Sequence, residues 1–204
     1  MRLIKMLGLA AVAAMVAMAF VGASSASADA THIVLCEKAE LECGSPFPNP
    51  TTIVAHATNP ELKTSLGTVI CKKSLTETTL LNELSTLGVG HILALSFEEC
   101  ALGKTACTVT VTSLGLLSFV KTGALEGTAK STGGTKANVH CGFLINCNYG
   151  GEPTLAVHSS ATGETKLLAT ENTVLAEEGE KFVCPDESKW IATYTALGTM
   201  YIES

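Results

Sequence analysis

Residues Cys107-Thr-Val-Thr-Val-Thr112 alternate without a break. In an extended chain Cys107, Val109 and Val111 fall on one face and Thr108, Thr110 and Thr112 on the other, the pattern of a half-buried β-strand. Short segments of the same Val-, Ile-, Leu- and Thr-rich kind lie on both sides, at 51–58, 66–72, 89–99, 115–121, 136–143, 153–159, 165–170, 180–184, 190–196 and 199–203. Turn residues punctuate them: Pro46-Phe-Pro-Asn-Pro50, Asn59-Pro60, Gly133-Gly134, Gly150-Gly151-Glu-Pro153 and Gly179. Only Lys73 to Leu87 has loose helical spacing, and Thr76, Thr78 and Thr79 argue for strand and loop there, with at most one helical turn. About a dozen short strands with regularly spaced turns predict an all-β fold, an antiparallel β-sandwich of two packed sheets stabilised by disulfides.

The N-terminus reads differently. Arg2 and Lys5 precede an uncharged, Ala-rich run from Met6 to Gly22, and Ala26-Ser27-Ala28 supplies a small-x-small cleavage site. Residues 1–28 are therefore expected to be a signal peptide of the general secretory route, and 29–204 a single domain, starting at Asp29 or, from a second site, at Thr31. The bulky residues before Cys36 argue against lipidation. No membrane span is expected after cleavage, and the protein is expected to be secreted, extracellular or cell-wall associated.

Beyond residue 28 the chain has 11 lysines (the 13 basic residues less Arg2 and Lys5), no arginine and 19 acids. Arginine is the usual bidentate partner of phosphate, and the lysines are scattered, so nucleic acid is excluded as a partner.

Eight cysteines in an exported chain imply disulfides. Eight allow 105 connectivities. Residues flanking a short hairpin lie opposite each other within disulfide reach, which predicts Cys36–Cys43, Cys100–Cys107 and Cys141–Cys147 and leaves Cys71–Cys184.

Motifs for chemistry are sparse. There is no G-x-S-x-G, H-E-x-x-H or H-x-H, no Walker spacing, and only two aspartates, Asp29 and Asp186, for calcium loops. His56, His140 and His158 share the polar face of their segments, whereas His91 shares parity with Leu93, Leu95 and Phe97. Glu98 and Glu99, as strand neighbours, should face opposite ways and so cannot form a glycosidase pair. No catalytic residue, metal or cofactor is assigned. Trp190 and Tyr194 share a face about 13 Å apart at the usual strand rise, either as core residues or as a glycan platform.

Thr64-Ser-Leu-Gly-Thr-Val-Ile-Cys71, Cys100 through Val111, Cys141-Gly-Phe-Leu-Ile-Asn-Cys147 and Cys184-Pro followed by Trp190-Ile-Ala-Thr-Tyr194 together resemble a group of exported, eight-cysteine proteins of unknown function from soil actinobacteria. The resemblance implies no activity and carries over no functional residue. The expected function is a non-enzymatic structural or binding module at or outside the cell surface, with a cell-surface glycan or protein as partner. The alternatives are a secreted hydrolase with a Ser/His/Glu site invisible in sequence, and a carrier of a small apolar ligand.

Overall fold

The computed structural model describes residues 34–38, 45–81, 88–123, 125–143, 145–176, 184–198 and 201–203. The signal-peptide reading and the segment 180–184 up to Phe182 and Val183 lie outside the described residues. Among the described residues every regular element is a β-strand. β2 (Thr51–Thr58) and β3 (Glu61–Thr64) are followed by two long strands, β4 (Gly67–Leu81) and β5 (Gly88–Leu102). Six short strands come next: β6 (Thr105–Ser113), β7 (Leu116–Gly123), β8 (Glu126–Thr132), β9 (Thr135–Cys141), β10 (Ile145–Gly151) and β11 (Thr154–Ser159). Two more long ones, β12 (Thr165–Ala176) and β13 (Glu187–Ala196), complete the set. β1 (Val34–Cys36) and β14 (Tyr201–Glu203) form a separate two-stranded ribbon.

The short strands run end to end in pairs. β2 and β3 both pair with β4, β6 and β7 with β5, and β8–β9 and β10–β11 continue the same ladder. β12 receives β11 and β10 along one side and β13 along the other. β13 then pairs with β2 and β3. The result is a closed, eight-position, antiparallel up-and-down barrel in which four positions are long strands and four are strands broken midway. The breaks carry Asn59-Pro60, Gly115, Gly133-Gly134 and Gly151 to Pro153, because proline lacks the ladder donor and glycine tolerates the bend. The expected sandwich is thus corrected. The strands exist, but pairing of β13 with β2 and β3 joins the last to the first and leaves one sheet instead of two.

Inward residues make two core clusters. The upper one gathers Leu80, Phe119, Leu155, Val157 and Tyr194, and the lower one Val69, Val139, Tyr149 and buried cysteines. In β6, Thr108, Thr110 and Thr112 are exposed, and Val109 and Val111 point inward, as the alternation requires.

The disulfide pairing departs from expectation. The bonds are Cys71–Cys100, Cys107–Cys141 and Cys147–Cys184. Cys36 is also disulfide-bonded, and its predicted partner Cys43 lies outside the described residues. Cys71, Cys100, Cys107 and Cys141 stand in one row across four adjacent strands, each opposite the next. Cys100 therefore has a facing cysteine on each side, and hairpin proximity to Cys107 cannot decide between them. Cys141 opposes Ile145, and Cys147 opposes Val139, so the last predicted hairpin pair is out of register. Such bonds hint at an oxidising compartment.

Candidate functional site

The barrel interior is not completely filled. Two cavities, about 100 and about 90 Å³, lie one above the other along the axis. An eight-stranded barrel is just wide enough for its side chains or for one small ligand. The upper cavity is walled by apolar side chains such as Ile53, Ile92, Leu117, Phe119 and Leu155, with the hydroxyls of Thr76, Thr78 and Ser131 at its margin. The lower one is walled by Leu62, Val69, Phe97, Val109 and Val139, with Glu61 and Lys136 at its edge. Leu95, Thr135, Pro153 and Trp190 line both. These four side chains are the partition between the cavities, and they sit at the level of the strand breaks.

Trp190 reaches this place because β13 alternates: Ser188, Trp190, Ala192, Tyr194 and Ala196 all point inward. Its ring lies 5.9 Å from that of Tyr194, tilted by 54°. Of the two alternatives, core residues or glycan platform, the inward placement fits the first, and the rings stand nearer than the spacing of about 13 Å expected of an extended strand. They lie on the concave side of a closed barrel, where side chains converge, and Tyr194 is buried at 3% exposure. Burial pushes the Tyr194 hydroxyl well above its ordinary range.

At the partition, on its upper side, Ser131 and Thr135 hydroxyls lie 2.9 Å apart beside Gly115, whose missing Cβ leaves room for them: a Cβ there would stand 2.5 Å from the Thr132 carbonyl and 2.6 Å from Thr135 Oγ1. Sequence reasoning singled out Trp190 and Tyr194 but not this partition. Thr135 and Pro153 read as turn residues, and only ring closure brings them opposite Trp190.

Three of the histidines stay apart from the interior. His91, His140 and His158 are exposed. The parity that placed His91 with Leu95 and Phe97 fails because Leu93 is skipped in the β4–β5 register, so His91 and Leu93 face out while Leu95 and Phe97 face in. His158 Nδ1 lies 3.7 Å from Glu126 Oε1 on the outer wall, and neither has a hydroxyl partner among the described residues. Glu98 and Glu99 are both exposed, contrary to strict alternation, because Glu99 adopts a left-handed φ of 50°. Among the described residues no three His, Cys, Asp or Glu side chains gather as a metal site would need. No helix among them is long and apolar enough to cross a membrane. No protein-family model matches the chain, and no curated protein or solved structure is significantly similar to it.

Proposed function

We propose that this protein is an exported, non-enzymatic binding barrel that holds a small, uncharged apolar ligand in its interior, at or outside the cell surface. The observation that carries this reading is the pair of apolar cavities meeting at Trp190. An apolar cavity of about 150 Å³ in another protein stays dry and takes up benzene or xenon. Voids of this order cost stability through lost packing contacts, and an occupant restores them. Buried charge is absent from the described core, where the buried polar residues are serines and threonines. Such a wall selects against ions and for a neutral molecule or the end of an acyl chain.

The chain's single tryptophan makes the test direct. Trp190 gives one indole N–H resonance, and it borders both cavities. Titration with xenon and with benzene is expected to shift that resonance saturably at one or two equivalents. A shift that stays linear in added probe, or none at all, would overturn the carrier reading.

A further inference from the structure

β5 and β6 are joined by a tight turn, yet they separate. They pair at Cys100–Cys107, Ala101–Ala106 and Leu102–Thr105. They meet again only at the upper end, where the Ile92 N–H donates to the Gly115 carbonyl (3.2 Å) and β5 goes on to pair with β7. Residues 93–99 of β5 and 108–114 facing them have no register partner across this seam. At the usual strand rise the split is about 20 Å long. Glu99, with its left-handed φ, marks where the two strands part.

Three further observations give the split a purpose. First, it leads to the cavity: Leu95 and Phe97 on one side and Val109 on the other line the lower space. Val109 and Val111 remain partly exposed although they point inward, whereas Val139 on the fully paired neighbour β9 is buried. At its upper end the rim is apolar, with Leu93 51% and Leu114 41% exposed, whereas Glu98, Glu99 and Thr108 are the exposed residues at its lower end.

Second, described residues outside the barrel strands pack at both ends. Phe47 packs on the upper core. Below, Cys184 is buried against Cys147, and Pro185 borders the space under Leu62, Leu102 and Ile145.

Third, the disulfides bracket the seam without crossing it. Cys71–Cys100 locks β4 to β5, and Cys107–Cys141 locks β6 to β9. Cys100 and Cys107 face each other across the seam itself, and both are bonded outward.

We propose that the β5–β6 split is the lateral entrance through which ligand reaches the interior. The proposal rests on the carrier reading above and adds the route. Widening the split breaks no ladder hydrogen bond, because none spans residues 93–99, and the two flanks move as disulfide-locked pairs. The apolar upper part of the rim, Leu93 and Leu114, then offers a ligand a path from the surface to Phe97 and Val109.

The test uses benzene as probe and the Trp190 indole resonance as reporter. A cysteine introduced at the exposed rim, Leu93→Cys, is labelled with a bulky maleimide on the folded, oxidised protein. Leu114→Cys on the opposite rim gives an independent reading, and Phe143→Cys and Leu197→Cys carry the same label at the lower and upper ends. Both rim labels are expected to slow benzene association and dissociation by about tenfold or more while leaving Kd within a factor of about two, since an obstructed route alters rates and not affinity. The end labels are expected to change neither. Unaltered rates with both rim labels, or slowing with an end label alone, would overturn the entrance while leaving the carrier intact. Absence of saturable benzene binding to the unmodified protein would overturn both.

Discussion

Ser74 Oγ and Tyr194 Oη lie 2.8 Å apart inside the barrel, 120 residues apart in sequence. Ser74 donates its only hydroxyl proton to the Ser96 carbonyl, 2.8 Å away. The Tyr194 hydroxyl must therefore be the donor to Ser74. The chain Tyr194 to Ser74 to Ser96 ties β13, β4 and β5 together and fixes the tyrosine ring against Trp190. It works only while the phenol keeps its proton.

That requirement sets a pH dependence. The folded-state pKa of Tyr194 is raised, so the group's contribution is fully present below its unfolded value of about 10 and is lost as pH rises beyond it, when the unfolded chain ionises and the folded one does not. Tyr194→Phe should cost about 1 kcal/mol at neutral pH through the lost hydrogen bond. It should also flatten the fall in stability above about pH 10. Urea denaturation at pH 7 and pH 10.5 checks both, and an equal alkaline loss in the variant would refute the assignment.

Non-reducing peptide mapping should recover Cys71 with Cys100, Cys107 with Cys141 and Cys147 with Cys184. The sequence separations are 29, 34 and 37, so chain entropy predicts about 3–4 kcal/mol for each. Removing any one pair by double substitution to alanine should lower Tm by similar amounts. A much larger effect from one bridge would mean that native-state packing outweighs loop closure.

Trp190→Ala should join the two cavities into one. Removing a large aromatic side chain from this place costs about 3 kcal/mol or more. The enlarged interior should gain affinity for a longer alkyl ligand relative to benzene. Calorimetric titration with both ligands measures the change, and unchanged relative affinity would show that Trp190 does not divide the space.

Gly115→Ala and Gly133→Ala separate two roles of glycine. At Gly115 a Cβ would collide with the Thr132 carbonyl, and overpacking against backbone should cost about 1–3 kcal/mol and disturb the partition. At Gly133 nothing lies within 4 Å, but φ is +79°, so the cost should be about 1–2 kcal/mol, from conformation alone. Chemical denaturation compares them. The Trp190 indole shift should move in the first variant only.

Local pattern carried much of this fold. The alternation at Cys107 to Thr112 and the segment 51–58 appear in the structure as read, and Lys73 to Leu81 is strand. β8 was not legible, because its inward residues Gly127, Ala129 and Ser131 are too small to register as an apolar stripe. β3 and β10 were hidden for related reasons: four residues beside Asn59-Pro60, and a strand rich in Asn and Gly. What no local pattern encodes is which edges meet. The closing contact, Tyr194 opposite Ala57, turns a meander into a barrel and directs Trp190 inward, and the pairing of β5 with both β4 and β6 sets a cysteine on each side of Cys100. The sandwich followed from leaving the closing contact out, and the hairpin disulfides from leaving out the β4–β5 and β6–β9 edges.

The closed meander also orders events in time. Every other seam of the barrel joins strands that are neighbours in sequence, so those contacts need only short loops to form. The closing seam, with Tyr194 opposite Ala57 and Lys189 opposite Lys63, requires the chain to come full circle. Loop entropy and non-local pairing make such a step slow. Refolding rate should thus respond most to substitutions along that seam, such as at Ala57, which is fully buried, whereas changes within β8 to β11 should chiefly alter unfolding. The same closure leaves the start of β2 and the end of β13 side by side, so a circular permutant that joins them and opens at a surface turn would convert the slowest contact into a local one.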